Sequence, residues 1–264
     1  MRTAIGFYKE RAARLDVDGI DFDAFRDRPL SSDGLRSLRY MHDIEHHTIC
    51  YLRDLLLTPA HRDPEVTAFL ACWAYEELWH GEAIGRVLAA HGEIAGAARI
   101  AALRQRRRWQ DLRESFTHFA CSTIVGEPFV AVHMTWGAVN EWTTQAGYAR
   151  LGATERHPVL SELLKRIMKQ EGRHVDFYAS EASRRLATSR SARRLTRQAL
   201  ARFWRPVGSG VMPPAEVAFL VRHLFGDEQG RATIDRIDRR VDRLPGQDGL
   251  RLLRGVVDEY AVAA

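Results

Sequence analysis

Two Glu-x-x-His pairs stand out by residue type and spacing: Glu77-Leu78-Trp79-His80 and Glu171-Gly172-Arg173-His174. On a helix, a carboxylate and an imidazole three residues apart project about 60° from each other, so both can reach one ion. In a chain with 11 His a single pair would carry no weight, so the setting decides. The first pair interrupts an apolar stripe of Val66, Leu70, Trp73, Ile84 and Val87, and the second a stripe of Leu160, Leu164, Ile167 and Tyr178. The steps alternate four and three, as on the buried seam of a bundled helix. An ionised Glu on such a seam is costly unless it is paired or metal-bound. A Glu–His hydrogen bond buried for its own sake would meet that need once; the repetition favours a metal.

A cation held by two such helices needs further carboxylates. The helix expected after the Ser31-Ser32-Asp33 cap, ending near Thr58-Pro59, has a seam of Leu35, Leu38, His42, Glu45, Ile49, Leu52 and Leu56. Glu45 is its only acid. In an antiparallel hairpin, facing residues lie equally far from the connection. The midpoint of Glu45 and Glu77 is His61, inside the Pro59–Pro64 turn, so the two stand at one height. The next helix offers Glu127 and Glu141 on one expected seam with Ala131, Met134, Ala138, Gln145 and Tyr148. The midpoint of Glu141 and Glu171 is Arg156, inside the Leu151–Pro158 loop, whereas the midpoint for Glu127 falls in helix. Glu127 would stand about 21 Å away at about 1.5 Å of rise per residue. The expected ligands are therefore Glu45, Glu77, His80, Glu141, Glu171 and His174.

The elements that must position them read as all-α. Further helices are expected near 2–15, 190–204, 214–224, 231–242 and 247–260, with Gly and Pro at the breaks. With 264 residues, one domain spanning 1–264 is expected, with a core bundle over about 31–187 and a C-terminal helical extension over about 188–264. No run of about 18 apolar residues exists, which argues against a membrane span. The N-terminus lacks the apolar core of a signal peptide. Cys50, Cys72 and Cys121 read as buried thiols of a reducing, cytoplasmic compartment.

Four helices carrying two Glu-x-x-His motifs and two single Glu residues form the arrangement of ferritin-like di-iron proteins. Within that group the chain resembles the soluble acyl-carrier-protein desaturases over about residues 35–240. Glu76-Glu77-Leu78-Trp79-His80-Gly81 is similar to that family's Glu-Glu-Asn-Arg-His-Gly. Gln170-Glu171-Gly172-Arg173-His174 is similar to Asp-Glu-Lys-Arg-His, and Asn140-Glu141-Trp142-Thr143-Thr144 to Gln-Glu-Arg-Ala-Thr. The Met212-Pro213 turn also has a counterpart. The resemblance implies a ferritin-like four-helix bundle with additional N- and C-terminal helices and two Fe, with Glu77 and Glu171 bridging. It implies Thr144 beside the O2 site and an O2-dependent oxidoreductase acting on an acyl chain. It also implies an acyl carrier protein or related thioester as substrate, a ferredoxin-type external reductant and a homodimer. Two positions depart from the pattern. Gln170 stands where the family has an Asp that hydrogen-bonds a ligand His, and Trp79 stands where it has an Arg.

Other features compete. His42-Asp43-Ile44-Glu45-His46-His47 matches one histidine box of membrane desaturases, but neither further boxes nor spans accompany it. His46 and His47 are expected at the surface or behind the ligands, and His42, on the Glu45 seam, as an extra ligand or ligand partner. The run Arg104-Gln105-Arg106-Arg107-Arg108 reads as a solvated face or a dock for an acidic carrier, where Arg forks suit carboxylate and phosphate. A net charge of only +5 argues against nucleic acid. A ferroxidase of the ferritin type is the alternative activity, as is a di-iron oxygenase acting on a natural-product intermediate.

Overall fold

The structure, a computed structural model, describes residues 4–262, and for residues 4, 7, 108, 114, 115, 118, 119, 121 and 262 the backbone alone. The expectations for the side chains of Arg108 and Cys121 lie outside the described residues. Among the described residues the fold is an all-α helical bundle, with one isolated bridge between Ser209 and Met212. Its helices are α1 (Ala4–Arg11), α2 (Ala24–Asp27), α3 (Ser32–Leu56), α4 (Pro64–Ala90), α5 (Gly96–Val125) and α6 (Pro128–Glu155). Then follow α7 (Pro158–Thr188), α8 (Arg190–Phe203), α9 (Pro214–Phe225), α10 (Glu228–Asp242) and α11 (Leu252–Val262). The chain divides into two compact units, Met1–Ile124 with Leu151–Gln170, and Val125–Arg150 with Glu171–Ala264. Both α6 and α7 run through the division unbroken. No helix among the described residues is long and apolar enough to cross a membrane.

In the first unit, α3 starts where the cap was expected. Ser31 Oγ accepts from Gly34 N at 2.9 Å, satisfying one of the amides a helix start leaves unpaired. Asp63 does the same for α4, accepting from the amides of Glu65 and Val66 at 3.0 and 3.2 Å, with Pro64 at the first helical position. The short Thr58–Asp63 connection folds α4 back along α3, and Leu38, Met41, Phe69, Leu70, Ile84 and Val87 are buried. The N-terminal segment packs on α4, with the Tyr8 ring tilted against Phe69 at 5.3 Å. The expected 2–15 helix stops at Arg11. Helix α5 has no counterpart in the sequence reading; Gly92, Gly96 and Gly126, all at positive φ, isolate it from α4 and α6.

In the second unit, α6 and α7 approach closely at Gly137, where an added Cβ would lie 2.3 Å from Cε1 of the buried Tyr178. Trp204 Nε1 donates to Asn140 Oδ1 at 3.1 Å, and Arg150 Nε donates to the Leu224 carbonyl at 2.9 Å. Val217, Val221, Ile234, Ile237, Leu253 and Val257 form the core of α9, α10 and α11. Helix α11 begins five residues later than expected. Gly246, Gly249 and Arg251 adopt positive φ, and the Asp238 carboxylate accepts from the amides of Leu253 and Arg254 at 3.0 and 2.9 Å, capping the helix at its observed start.

Gly137→Ala is therefore expected to destabilise the protein by about 1–3 kcal/mol, because a buried tyrosine ring has no room to retreat. A urea midpoint equal to that of wild type would refute this close approach.

Candidate metal centre

Helices α3 and α4 bring together Glu45, Glu77 and His80, whose ligand atoms lie within 4.8 Å of one another. None is more than 6% exposed, so three ionisable groups share a space from which water is excluded. His80 Nδ1 stands 3.2 Å from Glu77 Oε2. Its other nitrogen, Nε2, is 2.8 Å from Gln170 Oε1. The orientation of that amide is fixed, because Gln170 Nε2 donates to the Ala13 carbonyl at 3.0 Å and a carbonyl needs a donor. Oε1 must therefore accept, and His80 Nε2 carries the proton. In the neutral ring, Nδ1 then presents a lone pair to a carboxylate oxygen. That contact is repulsive unless a cation, proton or metal, sits there. A ligand His that donates its other N–H to an acceptor behind it is the usual arrangement of metal sites.

Helices α6 and α7 bring together Glu141, Glu171 and His174, again within 4.8 Å of one another and none more than 6% exposed. His174 Nδ1 lies 3.0 Å from Glu171 Oε2 and 3.8 Å from Glu141 Oε2. Each set therefore has one composition: a Glu from one helix and Glu-x-x-His from the next. Two carboxylates and one imidazole suit Fe(II) and Mn(II), and also Zn(II), better than Mg(II), Ca(II) or Cu(I). The donor set fits iron.

A strap from the N-terminus holds the residues next to both motifs. Glu76 and Gln170 each immediately precede a motif Glu, and both bond the backbone of Ala13. The Ala13 amide donates to Glu76 Oε1 at 3.3 Å, and its carbonyl accepts from Gln170 as above. Tyr8 Oη donates to Glu76 Oε2 at 2.7 Å. Glu76 does point away from the ligand seam, as its position on the helix predicts, but it is fully buried. A backbone group leaves no mark in residue types, so this strap was not readable from sequence. Gln170 departs from the resembled Asp yet still bonds a motif His. Trp79, the other departure, carries the Arg14 guanidinium over its ring at 5.2 Å.

The remaining candidates fall differently. Thr144 is half-buried on α6, one turn after Glu141. Glu127 is exposed in the turn before α6, since Pro128 starts the helix and ends the seam expected to pass through it. His42 is fully buried but belongs to another network: its Nδ1 is 3.0 Å from Asp43 Oδ1, and its Nε2 accepts from Gly96 N at 3.4 Å. Arg99 grips Asp43 with two bonds of 2.6 and 2.7 Å. Burial raises the Asp43 carboxyl, but the bonds from His42 and Arg99 outweigh it and hold the group below its usual range. His46 and His47, expected at the surface or behind the ligands, are both buried. Burial foremost pushes each down to about 4, so both are neutral at pH 7. Cys50 and Cys72 are half-buried rather than buried.

No family model matches the chain, and neither a curated protein nor a solved structure matches it.

Gln170→Leu should lower Fe(II) affinity on the order of 10–100-fold, the range typical when the acceptor behind a ligand His is removed. Gln170→Glu, which keeps an acceptor, should lose far less. Chelator competition measures both, and equal affinity in wild type and Gln170→Leu would show that the amide does not orient His80.

Proposed function

We propose that the two sets serve one binuclear iron centre and that the chain is an O2-dependent di-iron oxidoreductase. The observation that carries this reading is the duplication itself: two buried sets of two Glu and one His, each built from a Glu-x-x-His and a Glu of the preceding helix. The sequence register supports their union, because both hairpin midpoints fall in turns. Four carboxylates carry four negative charges, which two divalent ions would balance.

In this reading Glu45, Glu77 and His80 would hold one iron, and Glu141, Glu171 and His174 the other. When bound, a pair of Fe(II) ions supplies electrons to O2 and yields an oxidant able to attack an unactivated C–H bond. The chain's own groups do the rest. Gln170 keeps the His80 tautomer, and Trp73 and Ile84 flank the first motif and exclude water. Thr144, by the resemblance of its motif, would offer a hydroxyl beside the O2 site. The substrate class proposed is an acyl thioester, on an acyl carrier protein or a similar carrier, by the resemblance of three motifs. Desaturation and hydroxylation would share these ligands. Helices α8 to α11 are more than a minimal ferritin-type bundle needs, which favours the oxidoreductase over a ferroxidase. Electrons would come from a ferredoxin-type donor.

The arginine dock is narrower than the sequence suggests. Arg107 is buried and bound to Asp111 and Gln110, leaving Arg104 and Arg106 as exposed, described members of the run. For an acidic carrier, reversing their charge should raise KM, and added salt should do the same in wild type.

The test starts from anaerobic reconstitution, which should load about two iron ions per chain. Glu77→Ala, Glu171→Ala and Glu141→Ala should each lose iron while retaining helical circular dichroism, and Glu127→Gln should lose none. The reduced, loaded protein should then consume one O2 per acyl product, with loss of two hydrogens or gain of one oxygen. Oxidation and mineralisation of added Fe(II), with no acyl product, would assign the ferroxidase activity instead.

A further inference from the structure

Helix α3 turns about 200° between Glu45 and His47, so His47 faces away from the first carboxylate set. On that side, His47 and Cys50 of α3 and Asp111 of α5 offer ligand atoms within 4.8 Å of one another. His47 and Asp111 are buried and Cys50 is half-buried. The three-residue step from His47 to Cys50 is the one that lets Glu77 and His80 converge. Helix α5 needs something here. Its described buried residues are Leu103, Arg107, Asp111 and Ser122, while Trp109, Leu112 and Phe116 are exposed. Among the described side chains of this helix apolar packing is sparse, and the inward row of Leu103, Arg107 and Asp111 is mostly charged.

We propose that His47, Cys50 and Asp111 form a separate mononuclear site for Zn2+ or a cation of similar softness, with solvent in the fourth position, tying α5 to α3. A thiolate with an imidazole selects the zinc class over Mg2+ or Ca2+. Bonds of about 2.0–2.3 Å would draw the ligand atoms to roughly 3.5 Å apart, within reach of side-chain rotation. Arg107 Nε donates to Asp111 Oδ1 at 3.0 Å, as a group orienting a ligating carboxylate does. Burial, then the Asp111 charge, push the Cys50 thiol up. It stays protonated until a cation arrives; the S–H proton leaves to solvent as the sulfur–metal bond forms. The thiolate and the carboxylate then balance the 2+ ion.

Cobalt(II) reads this site independently of the binuclear proposal, because only a thiolate ligand gives a sulfur-to-cobalt charge-transfer band. Titrated anaerobically with Co2+, the full chain should develop that band, saturating at one equivalent of sulfur-bound metal, and Zn2+ should bleach it. Cys50→Ala should abolish the band, whereas Glu77→Ala and Glu171→Ala should keep it. Zn2+ should raise the melting temperature of these two variants but not that of Cys50→Ala in the same background. If the wild-type chain shows no band, or the band survives Cys50→Ala and so belongs to Cys72 or Cys121, the site is overturned. Loss of iron binding with the band intact would count against the binuclear centre alone.

Discussion

A buried carboxylate must find a cation or a donor, and this protein buries four on the seams of α3, α4, α6 and α7. Glu45, Glu77, Glu141 and Glu171 are each 6% exposed or less. Removing each charge from water costs several kcal/mol after relaxation. Apolar residues of similar volume would cost nothing of the kind and would pack at least as well. The partners nearest to Glu77 and Glu171 on their own helices are imidazoles, His80 and His174, whose Nδ1 atoms face them at 3.2 and 3.0 Å. For His80 the Gln170 carbonyl oxygen takes the far N–H, which turns Nδ1 toward Glu77.

Much of the surrounding structure is explained by holding these groups still. Ser31 and Asp63 start α3 and α4 where Glu45 and Glu77 come level. Gly137 lets α6 reach Tyr178 of α7, one turn from Glu141 and from His174. Ala13 uses both of its backbone groups to hold the residues that precede the two motifs, so the N-terminal segment contributes orientation rather than chemistry. Each constraint is local and short-ranged, as a site that must keep ligand atoms within a fraction of an ångström requires.

What the sequence revealed and what it hid divide along physical lines. Residue type and helical period are written in the chain, so the grouping of Glu45 with Glu77 and His80, and of Glu141 rather than Glu127 with Glu171 and His174, was readable, as was the start of α3. Hairpin arithmetic worked because both connections are short. Partners outside the period were not readable. The Ala13 strap uses backbone atoms, Glu76 is buried by a different element from the one that buries Glu77, and Arg107 turns inward from a run that looks solvated. Glu127 was misplaced because the seam period continues across Gly126, where the chain breaks. His46 and His47 were expected at the surface or behind the ligands, and their burial removes the first alternative.

The central claim is that the two sets hold iron as a coupled pair. A low-temperature Mössbauer spectrum of the protein, loaded with isotopically enriched Fe(II) and oxidised by O2, tests it most directly. Two Fe(III) ions sharing carboxylates should couple antiferromagnetically to a diamagnetic ground state. The spectrum should then consist of quadrupole doublets that stay unsplit in an applied field beyond the field's own effect. A magnetically split pattern from isolated high-spin Fe(III) would show two independent sites and contradict the claim, and so would a spectrum with no protein-bound iron.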